Sequence, residues 1–172
     1  MKKTIVMFAS AAFLFAACNS STETQPTTET PTTTETPEAP KTEAPAGDVA
    51  TITLNGNDAM QYDLTEIKVK EGQTVKLTLH HTGKAPKVAM GHNFVLLAAG
   101  VNMVDFAKAA VDAKDNEYIP KSLEKDIIAH TKLIGGGEST EVEFKAPAKG
   151  TYDYLCSFPG HSGIMKGKFI VE

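Results

Sequence analysis

Eight short runs rich in β-branched and aromatic residues divide the chain between residues 50 and 172, at 50–54, 64–70, 74–81, 92–97, 125–133, 140–146, 150–156 and 167–172. Most alternate apolar with polar residues, the period of a strand that buries one face. Gly, Pro and Asn cluster between them, as in "NGND", "TGKAPK", "IGGGES" and "APAKG", where an extended chain can reverse. One segment breaks the pattern. "AAGVNMVDFAKAAVDAKDNEY" (98–118) carries alanines and spaced apolar residues, Val101, Val104, Ala107 and Val111, which fit a short helix at about 100–115. The pattern predicts an all-β fold: an antiparallel sandwich of about eight strands with one short helical insertion.

The first 47 residues read differently. Lys2 and Lys3 precede an apolar run from Ile5 to Ala17, shorter than the roughly 20 residues a membrane-spanning helix needs. Small Ala16 and Ala17 then lead into Cys18. Residues 1–17 therefore resemble an export signal of the bacterial lipoprotein type, which would leave Cys18 as a lipidated N-terminus. Phe15 departs from the leucine usual at its position. Residues 18–47 are mostly Thr, Pro, Glu, Ser and Ala, with no aromatic, leucine, isoleucine or valine. Such a segment cannot bury enough surface to offset its ordering entropy and reads as an acidic, disordered tether, spanning roughly 30 Å if flexible. The folded domain is expected at 48–172, held at the periplasmic or cell-envelope membrane through Cys18.

Charge narrows the partners. The chain has a net charge of −4 and contains no arginine, so bidentate phosphate recognition is excluded and no nucleic-acid partner is expected. From residue 49 onward 14 Lys stand against 15 Asp and Glu, so docking would lean on apolar surface more than on charge steering.

The chemistry concentrates in "CSFPGHSGIM", where Cys156, His161 and Met165 fall within ten positions. Alone, each is an ordinary buried residue or core filler. Together they sit in a loop tightened by Pro159-Gly160 and Gly163, between two strands whose ends a hairpin brings together. A thiolate, an imidazole and a thioether can then face one point. "MGHNF" (90–94) offers a second imidazole, His92, and a carbonyl at Gly91. Two imidazoles and a thiolate with a weak axial thioether is the arrangement of blue-copper electron-transfer sites. Zinc would want a stronger fourth donor than methionine.

"NGNDAMQY", "MGHNF", "IAHTKLIGGGES" and "CSFPGHSGIMKG" together resemble the azurins, bacterial blue-copper proteins of the cupredoxin family, over roughly residues 50–172. The resemblance implies a Greek-key cupredoxin β-sandwich binding one type 1 copper per chain. It implies His92, Cys156 and His161 as equatorial ligands, Met165 as axial ligand, and the Gly91 carbonyl as a weak opposite contact. Asn93 is expected to bond across to the cysteine loop, with the N–H groups of Asn93 and Phe158 aimed at the Cys156 sulfur. His81 matches a buried histidine linked to redox state in some azurins; His80 is expected to face solvent, and His130 to lie on the surface without a ligand role. Met90, Phe158 and Pro159 would form an apolar rim around His161, where electrons leave.

The implied function is single-electron shuttling between membrane or periplasmic partners, without enzymatic activity and as a monomer. Cytochrome c-type donors and reductase or peroxidase acceptors are the expected partners; a surface copper chaperone or scavenger is the alternative. Two features depart from the azurins: the domain lacks the cysteines of their N-terminal disulfide, and Phe94 stands where tryptophan is common.

Overall fold

The computed structural model describes residues 42–43 and 49–172. The signal-like residues 1–17, Cys18 and all of the tether but Thr42–Glu43 lie outside the described residues. All eight expected runs form strands, preceded by a two-residue strand from the tether: β1 (Thr42–Glu43), β2 (Val49–Gly56), β3 (Glu66–Val69), β4 (Thr74–His81), β5 (Val95–Leu97), β6 (Ile127–His130), β7 (Ser139–Lys145), β8 (Gly150–Leu155) and β9 (Lys166–Val171). They build a six-stranded sheet, β1-β3-β9-β8-β5-β6, and a three-stranded sheet, β2-β4-β7.

The alternation in the sequence becomes the core between the sheets. In β2 and β4 the inward residues pair row by row, Ala50 with Val75, Ile52 with Leu77 and Leu54 with Leu79, while the intervening threonines and lysine face outward. On the opposite sheet Ile67 pairs with Phe169 and Tyr152 with Phe169. Each large apolar side chain buried here removes area worth about 1.5–3 kcal/mol from water.

The sandwich is not wholly antiparallel. β2 runs parallel to β4, and β3 parallel to β9. The cause is a double crossing: after β2 the chain passes into the other sheet as β3 and returns as β4 beside β2, and two reversals restore the direction. Alternation along a strand reports which face is buried, and is silent on which way the neighbour runs.

Around the insertion the boundaries shift. α2 spans Met103–Val111, within the expected span, and Asn102 caps it by accepting from the N–H groups of Val104 at 2.9 Å and Asp105 at 3.1 Å. Its buried face is Phe106 and Ala110, one helical turn apart; Val104 and Val111, expected on the apolar face, are exposed. Phe106 packs with Val95, Leu97, Ile119 and Leu155 on the outer side of the six-stranded sheet. β5 is therefore covered on both faces, which is why "VLL" does not alternate. Residues 121–126 are tight 3₁₀ turns, so the strand expected over 125–133 starts only at Ile127, and β6 itself is four residues long. A one-turn helix, α1 (Lys87–Met90), stands where the sequence suggested only turns.

Candidate metal centre

Three connections meet at one end of the sandwich: β2–β3 (57–65), β4–β5 (82–94) and β8–β9 (156–165). β8 and β9 are adjacent and antiparallel, so the last connection is a hairpin loop with its ends side by side. Cys156 N–H donates to the Met165 carbonyl at 2.9 Å and closes it, while Met165 N–H donates to the His161 carbonyl at 2.8 Å. Gly160, with φ of 84°, makes the left-handed turn on which the loop depends.

The loop delivers Cys156 and His161 to the same point, Sγ to Nδ1 3.6 Å apart. His92 arrives from the β4–β5 connection, and the donor atoms of the three residues all lie within 4.8 Å of one another. His92 does not begin a strand as expected; it makes an isolated bridge to Ile134, and β5 starts at Val95. The bridge supplies two backbone bonds of 2.9 Å, His92 N–H to Ile134 carbonyl and the reverse, which fix the histidine without a full strand.

The ring of His92 is oriented as tightly as its backbone. Its Nε2 lies 2.9 Å from the Asn57 carbonyl and its Nδ1 3.0 Å from the Gly91 carbonyl, both acceptors only, so a ring that gives its Nδ1 lone pair to a metal would keep its proton on Nε2 against Asn57. Its face stacks on His81 at a centroid distance of 4.1 Å and 18°. His81 is fully buried, with Nε2 2.9 Å from the Met90 carbonyl and Nδ1 accepting from Gly83 N–H at 3.1 Å. Gly56 completes the packing: a Cβ there would lie 2.9 Å from His92 Cδ2 and 3.2 Å from Met165 Cε. Met165 thus ends beside Gly56, as the His92 ring does, and is fully buried.

Gly91 presents its carbonyl 3.8 Å from the Cys156 sulfur. The absence of a side chain serves another neighbour, because a Cβ would lie 2.7 Å from the Lys87 carbonyl and 3.0 Å from Leu133. Asn93 reaches across to the cysteine loop, its Oδ1 accepting from Ser157 N–H at 2.9 Å and its Nδ2 donating to Ser157 Oγ at 2.9 Å. The backbone N–H groups of Asn93 and Phe158 face the Cys156 sulfur. Phe158 packs on His161 at 4.6 Å and takes the edge of Tyr118 at 5.1 Å. Met90, Phe158 and Pro159 are half-buried, and His161 itself is 2% exposed. Of the remaining histidines, His130 is exposed, and His80 is half-buried on the outward row of β4 with Lys76 and Thr78.

Burial sets the protonation of the empty-handed donors. It pushes the Cys156 thiol up to about 11, against the downward pull of the Asn93 and Phe158 N–H groups. It lowers His161 to about 4, aided by His92 and His81, and lowers His92 despite the Asn57 carbonyl. Between pH 6.5 and 4 the unfolded chain therefore holds a His161 proton that the fold does not, so stability must fall with falling pH. Between 9 and 11 the fold holds a thiol proton that the unfolded chain has lost, so stability must fall with rising pH. Metal-free protein is expected to melt highest between about pH 6.5 and 9. Scanning calorimetry across pH 4–11, beside His161→Gln and Cys156→Ala variants that remove each window, checks this; a melting temperature climbing toward pH 4 would contradict it.

The donor set has the character of a soft-metal site. A thiol and two imidazoles converge on buried residues, with the buried Met165 closing the same loop, and a cation would offset the burial that now opposes the thiolate. Residues 49–172 match the family of copper binding proteins described as plastocyanin/azurin. The chain belongs to the plastocyanin/azurin family. Its cofactor is copper, and it is a blue copper electron-transfer protein.

Relatives within the family agree in fold and extent. Azurin-2 of Alcaligenes xylosoxydans xylosoxydans is 44% identical over 119 residues, covering 67% of this chain and 92% of that protein. Outer membrane protein H.8 of Neisseria gonorrhoeae is 42% identical over 127 residues, 72% of this chain and 67% of that protein. Auracyanin A, a blue copper protein from Chloroflexus aurantiacus, superposes with a TM-score of 0.65 at 35% identity, over 72% of this chain and 99% of that one. With these the two-sheet architecture is the cupredoxin sandwich expected from the sequence.

Four contributors went unread in the sequence. Gly56 and Asn57 stood only as turn residues, and Ser157 as a loop filler, although they pack or bond directly against His92 and Asn93. Tyr62 is the fourth, buried with its hydroxyl on the Asn93 carbonyl. None carries a residue-type signal of its own, since their roles come from backbone carbonyls, missing atoms and contacts across the chain.

Proposed function

We propose that His92, Cys156 and His161 are the equatorial ligands of the copper, that Met165 supplies an axial thioether, and that the Gly91 carbonyl is a weak contact opposite. The single observation that carries this is the convergence of the three donor atoms within 4.8 Å, all on buried residues. When bound, copper supplies a one-electron couple between Cu(I) and Cu(II). The protein's part is to hold the donors so that little has to move when an electron arrives. The His92 ring is clamped between Asn57, His81 and Gly56, and the Cys156–Met165 hairpin is closed by its own backbone bonds. The Asn93 and Phe158 N–H groups stabilise charge on the sulfur, which favours the reduced state.

His161 packs against the half-buried Phe158, and Ile164, which donates its N–H to the His161 carbonyl, is 60% exposed; with the half-buried Met90 and Pro159 they would form the rim. This rim is the proposed docking and exit face, for redox proteins such as cytochrome c-type donors and reductase or peroxidase acceptors. The closed donor set leaves no open position for a substrate, so the domain acts as a carrier and not as an enzyme, and as a monomer. The lipoprotein-like segment ending at Cys18 supports anchoring in the cell envelope, as does similarity to an outer membrane protein. The acidic tether would then let the domain swing between partners at raised effective concentration.

Adding Cu(II) to the purified protein tests the reading. An intense blue band should appear, bleach on reduction and return on reoxidation with the copper retained through the cycle. A colourless protein that passes copper rapidly to an acceptor would favour metal handling instead.

A further inference from the structure

We propose that α2 and the β8–β9 loop form a groove that seats a protein partner presenting apolar side chains flanked by carboxylates. α2 is apolar well beyond the face it buries. Past Phe106 and Ala110 the apolar arc runs through Ala107 to Val104 and Val111, which share one side of the helix. Val104 is 58% exposed and Val111 50%. An exposed valine is a poor helix former, because its branched side chain loses rotamer freedom and gains no burial in return. Two of them on one helix side mark a surface that is built to be covered.

The valines line a groove of about 330 Å³ together with Ser162 and Gly163 of the β8–β9 loop. Half-buried Met103 and Ala107 line it too, and they pack against the cluster of Val95, Phe106 and Leu155, so this side is fixed. Gly163 keeps the loop side open, since a Cβ there would meet nothing within 4 Å. Lys108 and Lys166 are the charged residues of the lining, and no carboxylate belongs to it. Lys108 lies 3.6 Å from Asp105, but both side chains are exposed and such a pair is weak. In a domain of 14 Lys against 15 Asp and Glu, the groove is a local excess of positive charge.

Shape and charge together choose the occupant. Lysines beside apolar side chains are complemented by carboxylates beside apolar side chains. A second copy meeting the first across this face would set lysine against lysine. Residues 18–47 of the chain are acidic but hold no aromatic, leucine, isoleucine or valine, so they have nothing to fill the groove. A flat lipid surface does not enter a concave site. An apolar ridge with carboxylates at its sides, on another protein, fits both requirements. Such a partner touches the loop between His161 and Met165. Met90, Phe158 and Pro159 do not line the groove, so the rim stays available to a second protein. A donor and an acceptor then need not compete for one face.

The proposal stands apart from the ligand set, and its test reads binding rather than colour. Isotope-labelled protein in the diamagnetic Cu(I) state is titrated with a synthetic helical peptide while amide NMR signals are recorded. The peptide carries leucines along one side and glutamates beside them. Signals of Met103–Val111, Ser162 and Gly163 are expected to shift saturably, and that of Phe158 to stay in place. The same peptide with lysine for glutamate should bind roughly tenfold more weakly. Lys166→Glu and Val111→Ser, both at exposed positions, should each weaken the glutamate peptide about fivefold. Equal binding of the two peptides, shifts centred on Phe158, or no shift at all would overturn the proposal. So would vesicles of phosphatidylglycerol that move the α2 signals when the peptide does not, since the face would then belong to lipid.

Discussion

Cys156→Ser should abolish the blue colour completely and leave the copper-free fold standing. The band comes from electron density passing between thiolate and Cu(II), so no other residue of the site can supply it. A serine hydroxyl does not ionise at neutral pH, and the remaining imidazoles and thioether are neutral. Copper affinity should fall by more than the roughly 10- to 100-fold typical of losing an outer partner of a ligand. Folding should survive. Cys156 is fully buried, yet a hydroxyl in its place would have the Gly91 carbonyl and His161 Nδ1 within reach of small adjustments. An imperfect buried hydrogen bond costs about 1–3 kcal/mol. The checks are the absorption spectrum with Cu(II) and thermal unfolding without metal. A variant that still turns intensely blue would remove Cys156 from the ligand set; a variant unfolded at room temperature would make the residue structural first.

How much of this was legible depends on what each signal encodes. Alternation located all eight main strands, because a face buried in a sandwich must be apolar at every second residue. It could not report that β2 and β4 run parallel, since that depends on the chain visiting the other sheet between them. The helix was found but its face misassigned: valines look apolar at 104 and 111, whereas Phe106 fits the surface of β5 and β8 and Ala110 packs with Tyr118 and Leu133. At the site, Cys156, His161 and Met165 were visible because one hairpin holds all three. His92 was visible because few histidines follow a glycine beside an apolar strand. Asn57, Gly56 and Tyr62 act from a connection about 35 residues upstream of His92 and about 100 upstream of Cys156, and nothing local marks such contacts. The hydrogen bonds by which Asn93 ties the loops together are contacts of the same kind.

Those bonds make Asn93→Ala the largest expected loss of stability at the site. Asn93 is fully buried and joins three segments through one amide. Its Oδ1 accepts from Ser157 N–H at 2.9 Å and Ser157 Oγ at 3.2 Å, while its Nδ2 donates to Ser157 Oγ at 2.9 Å and the Glu117 carbonyl at 3.2 Å. Alanine would leave a buried N–H, a hydroxyl and a carbonyl without partners, and each such group costs about 1–3 kcal/mol where water cannot enter. Some water will enter the space vacated, so a total near 3–4 kcal/mol is expected, or a melting temperature lower by roughly 10 °C. Glu117 and Tyr118 sharpen the effect. Both hold left-handed backbone angles, φ of 55° and 62°, that non-glycine residues adopt at a cost, and Asn93 is one of the contacts that holds them there. Tyr118 packs on Phe158 and Phe158 on His161, so releasing Glu117 should loosen the stack over the ligand as well. Thermal unfolding of Asn93→Ala with and without copper tests this. Copper should recover part of the loss, because it tethers Cys156 to His92 again, and the blue band should broaden. A variant with wild-type stability would mean that the two loops are held by the hairpin and the His92 bridge alone.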